Sequence, residues 1–295
     1  MPFTLSHAAA VLPALRRTGT ARGPLAASAL VAGSFAPDMT YYADSLIPGA
    51  MAFGAVTHAP SGVLTVDVLV TAALVGGWLL VREPLIALLP RAWQSPVHTV
   101  VRGRPRRPRG LRQLLTLAAW FVVSAVLGAT THVVWDAFTH PGRWGTRLVP
   151  GLDQVVGGLP VYTFVQYGTS ALAAAALGWF GWTALRGRGG GARGGAASGD
   201  AASGAAAIPV LTVRLRLLLT APVVLCVLAG AVHRVVRAYA VLGPTVHWLG
   251  YLPTVLFGAG AGLTLGLVLY GVAVRLVHRR ACRTGTARDG ATGHG

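Results

Sequence analysis

"LLTLAAWFVVSAVLGATTHVVWDAFTHPG", residues 114–142, opens as an unbroken apolar run and closes with two histidines and an aspartate set four residues apart. The apolar part, 114–135, has the length of about 17–25 residues that a helix needs to cross hydrocarbon. Successive helical residues advance by about 100°, so His132, Asp136 and His140 drift by only about 40° per step and share one face. Pro141 and Gly142 stop the helix directly after them. A spanning helix therefore presents three metal-competent groups at one terminus, where water and substrate reach it. Imidazole and carboxylate both suit zinc and related divalent ions. An aspartate inside a span is costly unless paired or coordinated, so Asp136 itself points to function. The plain alternative is three unrelated roles: His132 in a polar interhelical contact, Asp136 paired with an arginine such as Arg143, and His140 in a loop.

The rest of the chain fits a membrane class. Of 295 residues 54% are hydrophobic and 11% charged, far from a soluble domain. Further apolar runs at 63–81, 168–185 and 254–277 are long enough to span, or nearly so. A fifth, 210–232, carries Arg214 and Arg216 at one end, where long stems snorkel, and Pro222, which kinks a helix without forbidding it. The stretch 24–36 is short, either a partial span or a helix buried among the others. The expected fold is all-α, a multi-pass transmembrane helical bundle of about five or six spans.

All 25 basic residues are arginine, against 8 acids, for a formal charge of +17. They cluster between the apolar runs: eight in 82–112, five in 186–216 and five in 275–288, but two each in 137–167 and 233–253. Heavy and light segments alternate, which places the 82–112 loop and the C-terminus in the cytoplasm. Arg16, Arg17 and Arg22 favour a cytoplasmic N-terminus if 24–43 crosses. No aromatic-interleaved basic face accompanies the charge, so the expected partner is membrane lipid and not nucleic acid.

Two segments read as linkers. "GRPRRPRG", 103–110, is too rich in proline and charge to pack, and the Gly/Ala/Ser tract 186–207 cannot offset its ordering entropy. The chain divides into a membrane-embedded helical domain, 1–185, a flexible linker, 186–207, two C-terminal transmembrane helices, 208–280, and a disordered tail, 281–295. "RRTGTARGPLAASALVAGSFA", 16–36, has the outline of a secretory signal, but its apolar middle is modest and Pro37 follows the cleavage point. Cys226 and Cys282 suggest neither a disulfide nor a metal knuckle. Gly187–Gly195 lacks the strand, lysine and Ser/Thr of a phosphate loop. The absence of an inverted repeat disfavours a permease using these acids as a proton relay.

Other candidate site residues lie upstream: His7 in "LSHAAAV", Asp38 in "GSFAPDMTYY", and His58 and Asp67 in "GAVTHAPSGVLTVD". Asp38 and His58 fall near helix ends, as the 132–140 group does, so one interfacial layer can gather them. Asp67 is a candidate ligand, a partner that holds an imidazole in its tautomer, or a helix–helix hydrogen bond. Gln166 and Tyr167, at a membrane boundary, can line a cavity, although tyrosine is enriched at interfaces in any case. His233, Arg234, Arg237 and His247 form a loop on the outer side, able to meet an anionic head group or simply solvated. The tryptophans read as belt or packing residues.

The blocks "MPFTLSHAAAVLP", "GSFAPDMTYY", "THAPSG", "THVVWDAFTHPG" and "LPVYTFVQYGTS" closely resemble those of the bacterial membrane family called domain of unknown function 4184. The resemblance covers most of the first 185 residues and continues more loosely. More distantly, the PD block, the TH block and the His-x3-Asp are similar to those of membrane-bound metal-dependent hydrolases and of all-helical zinc-dependent phospholipase C proteins. That resemblance implies metal ligands at His7, Asp38, His58, His132 and Asp136, with His140 extending the motif and zinc as the expected divalent ion. Two departures stand out: alanine follows His58 where the hydrolase pattern has serine, and no glutamate lies near the cluster. The implied reaction is attack by a metal-activated water on an ester or phosphoester, a lipid among the candidates, with Asp38 or Asp67 accepting the proton. The competing expectation is a scaffold or transporter in which the His/Asp cluster is structural.

Overall fold

The apolar run 114–135 lies within one uninterrupted helix, Leu111–Ala137, in the computed structural model, which describes residues 4–102, 108–189, 211–243 and 251–291. The chain begins with a 3-10 stretch, Thr4–Ala14. There follow α1 (Ala27–Gly33), α2 (Met39–Ala43), α3 (Gly54–Thr57), α4 (Pro60–Leu64), α5 (Val66–Ala87), α6 (Arg91–Arg102), α7 (Leu111–Ala137), α8 (Trp144–Leu148), α9 (Val161–Gly189), α10 (Val213–Leu242) and α11 (Leu252–Ala291). The all-α expectation holds but for a two-stranded ribbon, β1 (Val155–Val156) and β2 (Leu159–Pro160). Gly157 and Gly158 join its strands at φ of 58° and 84°, the pair of positive values that a tight hairpin turn demands and glycine supplies.

Among the described residues, four helices are long and apolar enough to cross a membrane: Val66–Ala87, Leu111–Ala137, Val213–Val241 and Leu252–Leu276. The expected count was five or six. The run 168–185 forms part of the 29-residue α9, long enough to span, but Gly168, Thr169, Ser170, Gly178 and Gly181 dilute its hydropathy. The stretch 24–36 yields only the seven-residue α1, with Ala29, Leu30 and Ala32 buried, so it is a helix enclosed by others. The helix α9 runs to Gly189, into the segment 186–207, whose remainder lies outside the described residues; α11 continues to Ala291, through much of the segment expected to be a disordered tail. Residues 103–107 of the first linker are likewise outside them.

The distribution of side chains is inverted relative to a soluble protein. Large apolar residues such as Leu69, Leu172, Leu217 and Val241 are exposed on the helix surfaces, while histidines, aspartates, serines and threonines are buried inside. That pattern suits a hydrocarbon solvent, where apolar faces turn outward and polar groups must be satisfied internally.

Close backbone approach sets the packing. A Cβ on Gly128 would lie 2.3 Å from the Leu30 carbonyl oxygen, and one on Gly33 2.5 Å from that of Ala125, so α1 rests directly on α7. Gly230, Gly258 and Gly262 do the same between α10 and α11, with built Cβ distances of 2.2, 2.2 and 2.0 Å to facing carbonyls. Small residues four apart that let helices touch are the usual adhesive where no hydrophobic force separates helix from lipid.

The N-terminal 3-10 stretch and α1 form a hairpin. Val11, Ala21 and Leu30 share one buried cluster, and Arg16 N–H donates to the Thr20 carbonyl at the turn, 2.8 Å. At this turn Gly19, with φ of 78°, lies against the Val100 carbonyl of α6. The hairpin therefore reaches from the His132 end of α7 to the arginine-rich end that precedes Leu111.

Candidate metal centre

Each candidate ligand is delivered by a different local device. His7 sits in the 3-10 stretch, and Asp38 ends the short turn Ala36–Asp38, started by Pro37. His58 caps α3, whose continuation Pro60 disfavours. His132 and Asp136 lie one turn apart in the last turns of α7. His140 does not share that helix face: α7 ends at Ala137, because Pro141 bars helical geometry in the residues before it.

Asp38, His58, His132 and Asp136 converge, each offering one ligand atom within 4.8 Å of the others, and all four are buried. His132 Nε2 is 3.3 Å from Asp38 Oδ1 and 3.4 Å from Asp136 Oδ2. His58 Nε2 is 3.6 Å from Asp136 Oδ2 and 3.8 Å from Asp38 Oδ1. These separations are long for hydrogen bonds, and neither imidazole Nε2 has a hydrogen-bond partner among the described residues despite being buried. A tetrahedron built on metal–ligand bonds of about 2.0–2.1 Å has edges of about 3.3–3.4 Å. The four atoms thus have the composition and spacing to hold a metal ion, and two orphaned buried nitrogens face the point where it would sit.

Surrounding groups fix the donors. His132 Nδ1–H donates to the Ser34 carbonyl, 2.8 Å, and His58 Nδ1–H to the Gly54 carbonyl, 3.0 Å. Each bond puts the proton on Nδ1 and leaves the Nε2 lone pair aimed inward, the arrangement that positions histidine ligands in metal sites. Thr4 Oγ1–H donates to Asp38 Oδ2 at 2.6 Å, leaving Oδ1 for the cluster. Thr57 Oγ1–H donates to the Pro37 carbonyl, 2.8 Å, tying the aspartate turn to the His58 turn.

The remaining candidates fall around this core. His7 is fully buried and stacked on His132, ring centroids 3.7 Å apart, with its Nε2 3.4 Å from Asp136 Oδ1. Burial, with His132 beside it, holds its imidazole well below the ordinary value, so it is neutral near pH 7. His140 Nδ1 is 3.6 Å from Asp136 Oδ1, but its ring nitrogens contact the Asp136 carbonyl and Gln166 Nε2, at 3.3 and 3.2 Å. Burial pushes it down to about 4. Asp67 is fully buried, and neither of its oxygens has a hydrogen-bond partner among the described residues. It is not one of the four converging residues.

A family described as a domain of unknown function, DUF4184, matches residues 1–272. The chain belongs to the DUF4184 family. The match takes in every candidate ligand and extends past the first 185 residues into α11. No curated protein and no solved structure matches the chain.

Asp136 in the DUF4184 signature has His7, His58, His132 and His140 among its ionic neighbours. Arg143 lies near Tyr41, whose ring centroid is 5.8 Å from that of His58. Trp135, expected only to pack, donates from Nε1 to Thr169 at 3.2 Å and walls His7 edge-on. Arg234 is not a solvated loop residue: it is buried in α10, and with Arg237 it binds Asp44. His247 lies outside the described residues. The supporting groups Thr4, Ser34 and Gly54 were not singled out in the sequence, and only their place inside or beside the family blocks could have marked them.

Proposed function

We propose that this chain is a metal-dependent hydrolase of the cell membrane, acting on a phosphoester at bilayer depth. The observation that carries the reading is the convergence of Asp38, His58, His132 and Asp136 with both histidines locked in the ligand tautomer. The N2O2 donor set suits zinc. A bound divalent ion supplies Lewis-acid polarisation and an acidified water. The chain's own residues do the rest. Thr4 commits Asp38 Oδ2, so Asp67, with both oxygens unpartnered among the described residues, is the better proton acceptor. Arg143 has no carboxylate partner among the described ion pairs and stands beside His58 through Tyr41. A cation there fits an anionic substrate better than a neutral carboxylic ester.

The same reading gives five spans, with α9 as the fifth. Without it, segments 137–167 and 186–216, with two and five arginines, would share a side. With it, the 82–112 loop and the C-terminus are cytoplasmic and the centre faces outward.

A second reading has its own support: four protein ligands close a tetrahedron, as in structural sites, which would make the protein a scaffold or transporter. Elemental mass spectrometry of the detergent-purified chain tests the shared premise. Bound zinc or manganese lost in both His132→Ala and Asp136→Ala, at equal helicity, is the expected result. No metal even after incubation with zinc defeats both readings. Metal without turnover across a phosphoester and ester panel leaves the structural one.

A further inference from the structure

We infer that the cluster has a second cation position, separate from that of Asp38, His58 and His132, formed by His7 Nε2 and the far oxygen of Asp136. The inference rests on the metal reading above and deepens it.

His7 and His132 are stacked with centroids 3.7 Å apart and planes within 20° of parallel. Ring-nitrogen lone pairs lie in the ring plane, so two nearly parallel imidazoles stacked face to face cannot both direct Nε2 at one ion at a bond length of about 2.0–2.1 Å. They serve two points, separated by about the stacking distance. Asp136 offers one oxygen to each: Oδ2 is 3.4 Å from His132 Nε2, and Oδ1 is 3.4 Å from His7 Nε2. A carboxylate across two ions is the arrangement of two-metal sites, whose ions lie about 3.5–4 Å apart. The stacking distance falls in that range.

His7 itself calls for a partner. Its side chain is completely buried, and neither ring nitrogen has a hydrogen-bond partner among the described residues. An imidazole left so is costly, and an ion on Nε2 removes that cost on one side. The position has two protein ligands, with His140 Nδ1 nearest beyond them at 3.6 Å from Oδ1. Among the described residues it therefore has fewer protein ligands than the four-ligand position, which leaves coordination for water or a phosphoryl oxygen. His140, with 31% of its side chain exposed, marks the side from which either would enter.

The test is the stoichiometry of manganese bound to the full chain in detergent, with the electron paramagnetic resonance spectrum, for wild type and for His7→Phe, which keeps the stacked ring and removes both nitrogens. The expected result is two ions per chain with an exchange-coupled signal in wild type, and one uncoupled ion in His7→Phe at unchanged helicity. One ion in wild type overturns the second position while leaving the metal centre standing. Two ions in both proteins place the second elsewhere and overturn the assignment, as does loss of both ions in a folded His7→Phe, because the first position is assigned without His7. No ion in wild type removes the centre and the second position together.

Discussion

Thr4 shows how much of the centre depends on groups that never touch an ion. Its hydroxyl holds Asp38 Oδ2, and hydrogen bonds of this kind are worth about 10–100-fold in metal affinity. Thr4→Ala should therefore keep its helicity and weaken zinc binding by about that factor in a competition titration against a chelating dye; an unchanged affinity would mean that Asp38 is oriented by its turn alone. Arg143→Ala should raise KM for a phosphoester with little change in kcat, since it removes charge that grips the substrate equally in ground and transition states. A fall in kcat at constant KM would move Arg143 from binding into the chemical step.

Between elements, two devices hold the centre in register. The first is the bare contact of α1 with α7 at Gly33 and Gly128, which also sets Ser34 over His132. Gly128→Val places branched carbon where a carbonyl already stands, and overpacking of this sort costs about 1–3 kcal/mol. The expected outcome is a lower thermal midpoint together with weaker metal binding, whereas a matching change in α10, Gly230→Val, should lower the midpoint alone. The second is the clasp on Asp44, which accepts from Arg234, Gly49 N–H and Met51 N–H and joins the segment after α2 to α10. Removing one partner of a buried pair strands the other, at about 3–5 kcal/mol, so Asp44→Ala should destabilise by that order. Burial raises the Asp44 carboxyl, but its backbone and arginine bonds outweigh burial and hold it below the ordinary value. Its stabilisation is thus complete above the unfolded-state carboxylate range, near pH 4, and is lost as pH falls through the lower folded-state value. Thermal midpoints recorded from pH 7 downward should show a wild-type drop below about pH 4 that shrinks in Asp44→Asn.

At the scale of the molecule, arginine placement and the centre make one topological statement. The turn holding Arg16, Arg17 and Arg22 meets α6, so it lies with the arginine-rich 82–112 segment. His7, a few residues earlier, lies with Asp136 at the other end of α7, the end proposed to face outward. A fluorescent-protein fusion to the C-terminus should fluoresce in the cytoplasm, while a cysteine placed at Gly157 should react with an impermeant maleimide from outside. Fluorescence lost and Gly157 unreactive would invert the orientation and turn the centre inward.

The 3.6-residue period and sheer apolar length made α5, α7, α10 and α11 readable along the chain, because a helix in hydrocarbon satisfies its own backbone and needs no distant partner. The His132–Asp136 pair was readable for the same reason, its spacing being local. His140 was misread by that logic: Pro141 ends the helix earlier than the pattern of four suggests. What the sequence alone determined is the membrane class, the all-helical build, the family blocks and the residues worth suspecting. Only the tertiary structure decided that residues 98 positions apart, Ser34 and His132, fix one tautomer, and that His7 stacks on His132 beside the four converging ligands. Those outcomes depend on where glycines let backbones meet and on which way an imidazole faces, and neither is encoded in spacing along a single chain.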